Sequence, residues 1–135
     1  MRMKFVLAAI AIALVAAPAG LATTAELSVS PSVITLRGLP LGTTVETPVT
    51  LTNSGDEPLN LSIYYAFGYN GNFFINPGTC ILGMALPAGD SCSFTVSASP
   101  SIVGAIRGEF CFSGWGDSGF DDACGRIVGG GRPLP

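Results

Sequence analysis

Four cysteines, Cys80, Cys92, Cys111 and Cys124, are the residues best suited to chemistry in this chain of 135. A cysteine can serve as nucleophile, metal ligand or half of a disulfide. The gaps between them match no zinc pattern, which needs paired CxxC spacing. The chain contains no His. That excludes Ser–His–Asp and Cys–His catalysis and every His-ligated metal site. Disulfides remain, with three connectivities open. Cys80–Cys92 with Cys111–Cys124 is favoured, because each pair brackets a short Gly-bearing loop.

Two further segments tempt a catalytic reading. Gly116-Asp117-Ser118-Gly119 matches the core of the nucleophile motif of trypsin-like proteases, and Arg126-Ile127-Val128-Gly129-Gly130 matches their activation site. In those enzymes the second motif comes first. With the order reversed and no His as base, Ser118 is a poor nucleophile. Asp117, Asp121 and Asp122 form one acidic cluster, a possible calcium site. Their spacing misses the EF-hand template, so a solvated loop is the plainer reading. Neighbouring acids on one small loop also lack the cleft that a glycosidase pair works in. No cofactor and no metal is expected, and no enzymatic activity.

Binding residues are easier to find. Tyr64, Tyr65, Phe67, Tyr69, Phe73 and Phe74 crowd one segment. Aromatics beside Asn and Gly suit sugar- or protein-binding surfaces, although alternation should bury about half of them. Trp115 lies between the last two cysteines. It reads either as a contact residue or as a cover over Phe112. The stretch Gly114 to Ala123, with Trp115, Asp117, Phe120, Asp121 and Asp122, is the best candidate for a binding loop. It combines an aromatic anchor with an acidic rim.

The elements that must position these residues begin with an export segment. Met1 to Lys4 is basic, and Phe5 to Ala17 is an apolar run ended by Pro18. The run is too short for a bilayer, which needs about 20 residues. It reads as a secretory signal over residues 1–25, cleaved after Ala25, with Ala22 or Ala19 as alternatives. No Cys follows to carry a lipid, so no stable membrane anchor is expected after cleavage. An even cysteine count in an exported chain fits disulfides. Residues 26–135 carry four Arg, no Lys and nine Asp and Glu, a net charge of −5. Such a chain has no electrostatic footprint for nucleic acid.

The mature part alternates with period two, the strand signal. Leu59, Leu61, Ile63 and Tyr65 alternate with polar residues and Tyr64. Cys92, Phe94, Val96 and Ala98 do the same, as do Val49 and Leu51. Ile106, Phe110 and Phe112 share a face, with Arg107 and Glu109 opposite. Strands are predicted near 27–36, 45–52, 59–66, 73–76, 92–98, 105–113 and 124–129. About seven short strands separated by Gly- and Pro-rich turns predict an all-β, immunoglobulin-like antiparallel β-sandwich forming one domain over 26–135. Its faces should make the core, leaving loops and edges for function.

Two segments carry a family resemblance. One is Val49-Thr50-Leu51-Thr52-Asn53-Ser54-Gly55 followed by Glu57-Pro58-Leu59-Asn60-Leu61. The other is Leu86-Pro87-Ala88-Gly89-Asp90-Ser91-Cys92-Ser93-Phe94-Thr95-Val96, then Pro100 and Gly104. Together they resemble the ASH immunoglobulin-like domain, in the form found in bacterial secreted "choice-of-anchor" proteins. The resemblance covers about residues 26–113, and Gly125 to Gly131 is similar to the family's Gly-rich closing strand. Cys80 sits where the family places its first Cys. The pattern implies a left-handed turn at Asn53 and Gly55, core anchors at Leu86 and Phe94, and a Cys80–Cys92 bond. Ala98 replaces a large aromatic, and the second Cys pair with its insert is an addition to the pattern. A binding or structural role without chemistry is implied.

The expected function is therefore an exported, non-catalytic interaction or structural module of the periplasm or cell exterior. Its partner would be a protein or a surface glycan. The alternative is a subunit or chaperone of a surface assembly that adds a strand at a sheet edge.

Overall fold

The computed structural model describes residues 23–134. The predicted signal segment therefore lies almost wholly outside the described residues. The chain forms β1 (Leu27–Ser30), β2 (Val33–Pro40), β3 (Val45–Asn53), β4 (Leu59–Tyr69), β5 (Gly71–Asn76), β6 (Ala85–Leu86), β7 (Ser91–Pro100), β8 (Gly104–Gly116) and β9 (Gly119–Arg132). They build a four-stranded sheet, β1-β3-β7-β5, and a five-stranded sheet, β2-β9-β8-β4-β6. The sandwich is immunoglobulin-like, with nine strands in place of the seven expected.

The first expected strand is two strands. The chain leaves the smaller sheet at the cis Ser30–Pro31 peptide and enters the larger one as β2. There β2 runs parallel to β9, from Val33 beside Arg126 to Pro40 beside Arg132. Every other pairing is antiparallel. The Gly-rich end of β9 allows the close β2–β9 approach. A Cβ on Gly129 would be driven into the Leu36 carbonyl.

The inner faces form the core. Val49 and Leu51 of β3 and Phe94 and Val96 of β7 meet Leu59, Leu61, Ile106, Phe110, Phe112 and Ile127 of the other sheet. Phe94 sits 5.1 Å from Phe112 and 6.1 Å edge-on from Phe110, ring centroid to ring centroid. Ala98 is buried beside Phe73, which pairs with it across β5 and β7. Phe73 lies against Gly68 and Gly108, where any side chain would collide with its ring.

One register shift changes which residues face out. Leu59 and Leu61 point into the core, and unbroken alternation would send Ile63 and Tyr65 after them. The β4–β8 register slips between Leu61 and Ile63. A bulge of one residue exchanges the faces of everything that follows. Ile63, Tyr65, Phe67 and Tyr69 are consequently exposed, while Tyr64 turns inward onto Phe112 at 5.3 Å.

Asn53 does not make the left-handed turn that the resemblance implied, nor does Gly55. Asn53 is fully buried at the end of β3. Its Nδ2 donates to the carbonyls of Glu57 at 2.8 Å and Leu86 at 2.9 Å. Its Oδ1 accepts from Gly55 N–H at 3.0 Å. One side chain thus ties the 53–58 turn to β6. Gly55 lacks a side chain because a Cβ there would strike the Thr24 backbone.

Candidate functional site

The structure joins the two separate binding candidates on one surface. The stretch Gly114 to Ala123 is no free loop. It continues β8 into β9 as a hairpin, with Asp117 and Ser118 at its tip. Trp115 pairs with Phe120 across the hairpin, ring centroids 4.9 Å apart. Both are exposed, at 54% and 47%. Side chains on a strand alternate between faces, so Trp115 and Phe112, three positions apart, lie on opposite faces. Trp115 does not cover Phe112. It stands on the outer face of the five-stranded sheet.

The exposed row of β4 lies on that same face. Register places Asn60 beside Trp115, Tyr65 beside Cys111, Phe67 beside Glu109 and Tyr69 beside Arg107. The outer face therefore carries Trp115 and Phe120 at one end, Ile63 and Tyr65 in the middle, and Phe67 and Tyr69 at the other. Tyr65 and Phe67 lie 5.7 Å apart between ring centroids. Beyond them Phe67, Tyr69, Arg107 and Glu109 rim a shallow hollow of about 190 Å³, floored by Gly68 and Gly108. Only the inner face of this sheet packs into the core, and the outer face leaves these side chains exposed. This outer face is rich in apolar groups, and monomeric surfaces seldom gather so many in one place. Phe74 is also exposed, but on the other sheet.

The acidic cluster does not converge. Asp121 and Asp122 follow one another on β9 and so point to opposite faces. Asp121 Oδ2 accepts the Leu27 N–H at 2.7 Å and holds the start of β1. Asp122 stands on the outer face beside Ser113, and Asp117 occupies the hairpin tip. Among the described residues the one gathering of potential metal ligands is Glu109 with Cys111 and Cys124. Both cysteines there are consumed by a disulfide.

Cys80 is bonded to Cys92, S–S 2.04 Å, and Cys111 to Cys124, S–S 2.02 Å. The first bond pins the 77–84 loop beneath β7, and Cys80 and Cys92 are buried. The second is a direct cross-strand rung of the β8–β9 ladder. It sits on the outer face level with Tyr65, with Cys111 buried and Cys124 exposed. The protease-like segments have structural uses. Ser118 donates its backbone N–H and its Oγ–H to the buried carboxylate of Glu57, which latches the hairpin to the 53–58 turn. Arg126 to Gly130 lies inside β9, with Arg126 to Gly129 paired on both sides and Gly130 paired with β8 alone.

The sequence pattern of the ASH family (Abnormal spindle-like microcephaly-associated, ASPM-SPD-2-Hydin) matches residues 22–115, most of the chain. The chain belongs to the ASH family. ASH domains are non-catalytic immunoglobulin-like modules, which agrees with a site made of apolar surface in place of reactive groups. The match ends at Trp115, so the hairpin tip and β9 lie beyond it. Solved structures share the fold. The ASH/PapD-like domain 7 of human CEP192 superposes with a TM-score of 0.56 at 11% identity, over 83% of this chain and 89% of that one. The VesB protease of Vibrio cholerae superposes with a TM-score of 0.63 at 21% identity, over 78% of this ASH chain and 31% of the protease. The secreted serine protease VesC of the same organism gives 0.54 at 18% identity, over 83% and 23%. The chain thus spans less than a third of either protease. No curated protein matches in sequence.

Proposed function

We propose that this ASH domain is exported and works as a protein-docking module of the periplasm or cell exterior. The observation that carries the reading is the outer face of the five-stranded sheet, where Trp115, Phe120, Tyr65, Phe67 and Tyr69 are exposed together. Interfaces are enriched in such aromatics, which bury much area at low entropic cost. Arg107, Glu109, Asp122 and Arg126 supply a mixed polar rim. A protein partner suits the breadth of this face, which runs from Trp115 and Phe120 at one end to Phe67 and Tyr69 at the other.

Export is supported by the basic and apolar N-terminal segment and by two disulfides. No helix among the described residues is long and apolar enough to cross a membrane. Thr24 bears on the cleavage point. Its N–H donates to Asp56 Oδ1 at 2.6 Å, and its carbonyl accepts the Asp56 N–H. Cleavage after Ala22 keeps these bonds, and cleavage after Ala25 discards them. N-terminal sequencing of secreted protein tests this: Thr23 is expected first. Recovery of intact Met1 on a membrane-bound form sinks the export reading. Capture of a partner by the immobilised mature domain, lost in Trp115→Ala, tests the docking face.

Strand addition at a sheet edge stands as a second reading, favoured by one observation. β6 covers only Leu59 and Asn60, so most of β4 is an edge strand.

A further inference from the structure

The free edge of β4 has a definite pattern of unpaired backbone groups. Cys111 and Cys124 face each other with Cα atoms 4.1 Å apart. That spacing belongs to the non-hydrogen-bonded pairs of an antiparallel ladder, which sit at about 4.5 Å against about 5.5 Å for bonded ones. Cys111 therefore turns its N–H and C=O away from β9 and toward Tyr65 of β4. Tyr65, Phe67 and Tyr69 are in the same phase and bond β8. Tyr64, Ala66 and Gly68 are in the opposite phase, so their N–H and C=O groups face outward. Among the described residues no strand or loop bonds them. At the other end of β4, Leu61 is already closed off by Gly83 and Met84.

Proteins usually guard such edges with charge, proline or shortness. β4 carries its one bulge between Leu61 and Ile63, and beyond it Ile63 to Tyr69 contains no charged residue and no Pro. What is left unguarded matches itself. A two-fold axis through Ala66 sets Ala66 against Ala66 of a second copy and Tyr64 against Gly68 of that copy. All three unpaired residues of each chain then exchange backbone bonds. On the inner side the large Tyr64 meets Gly68, which has no side chain. On the outer side Tyr65 meets Phe67 and Ile63 meets Tyr69, apolar pairs that stabilise antiparallel strands. Ile63 of the second copy arrives beside the hollow that Phe67 and Tyr69 rim. The nearest charges, Arg107 and Glu109 on β8, are one of each sign, so the overall negative charge does not repel at this edge.

We propose that β4 pairs antiparallel with β4 of a second copy about a two-fold axis at Ala66, joining the two larger sheets into one. The arrangement deepens the strand-addition reading by naming the occupant. It is also closed, because each copy has one such edge and uses it up.

Sedimentation of the mature, oxidised protein over a concentration series tests the proposal. A dimer is expected. Ala66→Pro removes the central N–H, which has no partner within the chain, and should raise the dimer Kd by about 100-fold. Phe67→Lys, on the exposed face, should weaken the dimer independently of any fault in folding, and Phe74→Lys on the other sheet should not. Hydrogen exchange reads the register directly. The amides of Tyr64, Ala66 and Gly68 should gain protection as concentration rises, while those of Tyr65 and Phe67 are protected throughout. A monomer at every concentration overturns the proposal, as does a dimer indifferent to both edge variants. Protection of the three amides by a co-purified foreign strand also overturns it, while leaving strand addition itself standing. Exchange that never slows at those amides removes both.

Discussion

Trp115 and Phe112 stand three positions apart on β8 and on opposite faces of its sheet, Phe112 sealed against Phe94 and Trp115 turned outward onto Phe120. Their truncations should therefore separate stability from binding. Phe112→Ala should cost about 3–5 kcal/mol, the usual loss for a buried aromatic. Trp115→Ala should stay within about 1 kcal/mol of the parent and yet lose partner capture. Chemical denaturation and a pull-down on the same two variants check this. A Trp115→Ala protein that unfolds as readily as Phe112→Ala would return Trp115 to the core.

Asn53 concentrates three hydrogen bonds in one buried side chain. Asn53→Leu keeps the branching of the side chain and strands the carbonyls of Glu57 and Leu86 and the N–H of Gly55. Buried groups left unpaired cost about 1–3 kcal/mol each. Some relaxation is expected, giving a net loss of about 3 kcal/mol by urea titration. Asn60→Ala, at an exposed position on β4, should change stability by no more than about 0.5 kcal/mol. Equal effects at the two positions would refute the role given to Asn53.

The two disulfides close loops of similar length, so each should stabilise by about 3 kcal/mol in the chain-entropy model. Their accessibility differs. Thiolate attack needs access to a sulfur, and Cys124 is exposed where Cys80 and Cys92 are buried. Brief treatment with a mild reductant should open Cys111–Cys124 first. Timed alkylation with peptide mapping reads the order, and simultaneous opening would contradict it.

Neighbouring glycines on β9 should respond unequally to a methyl group. Gly129→Ala drives its Cβ into the Leu36 carbonyl and should loosen the β2–β9 pair. Gly130→Ala meets nothing closer than 3.4 Å, at the Gly104 oxygen. Thermal melts should show a clear drop for the first and little for the second. Indistinguishable melts would mean the parallel pair is looser than described.

The strands of the core were legible because β7 keeps a clean alternation of apolar and polar residues from Cys92 to Ala98 and β3 does so from Val49 to Thr52. Three features were not. The bulge after Leu61 leaves no mark in composition, since Ile63 and Tyr65 look as buriable as Leu59. The hairpin tip reads as a loop because Gly114, Gly116, Gly119 and three Asp hide the strand period. The parallel β2–β9 pair depends on a crossing between sheets at Pro31, and local sequence cannot say which sheet a strand will join. Of the candidate site, the residue types were legible, and the single face that unites them was not.

The parallel run of β2 against β9 also has a mechanical meaning. Leu27 is fastened beside Asp121 near the start of β9, and Arg132 lies eleven positions further along the same strand, about 36 Å away at 3.3 Å per residue. Tension between the two ends of the domain would enter β1 and β2 at their leading ends and leave β9 at its trailing end. Because β2 and β9 point the same way, these pulls oppose each other along the strand axis. The rungs from Val33–Arg126 to Pro40–Arg132 would then be sheared together and could not be opened one at a time. A domain wired in this way is suited to bearing load along its length.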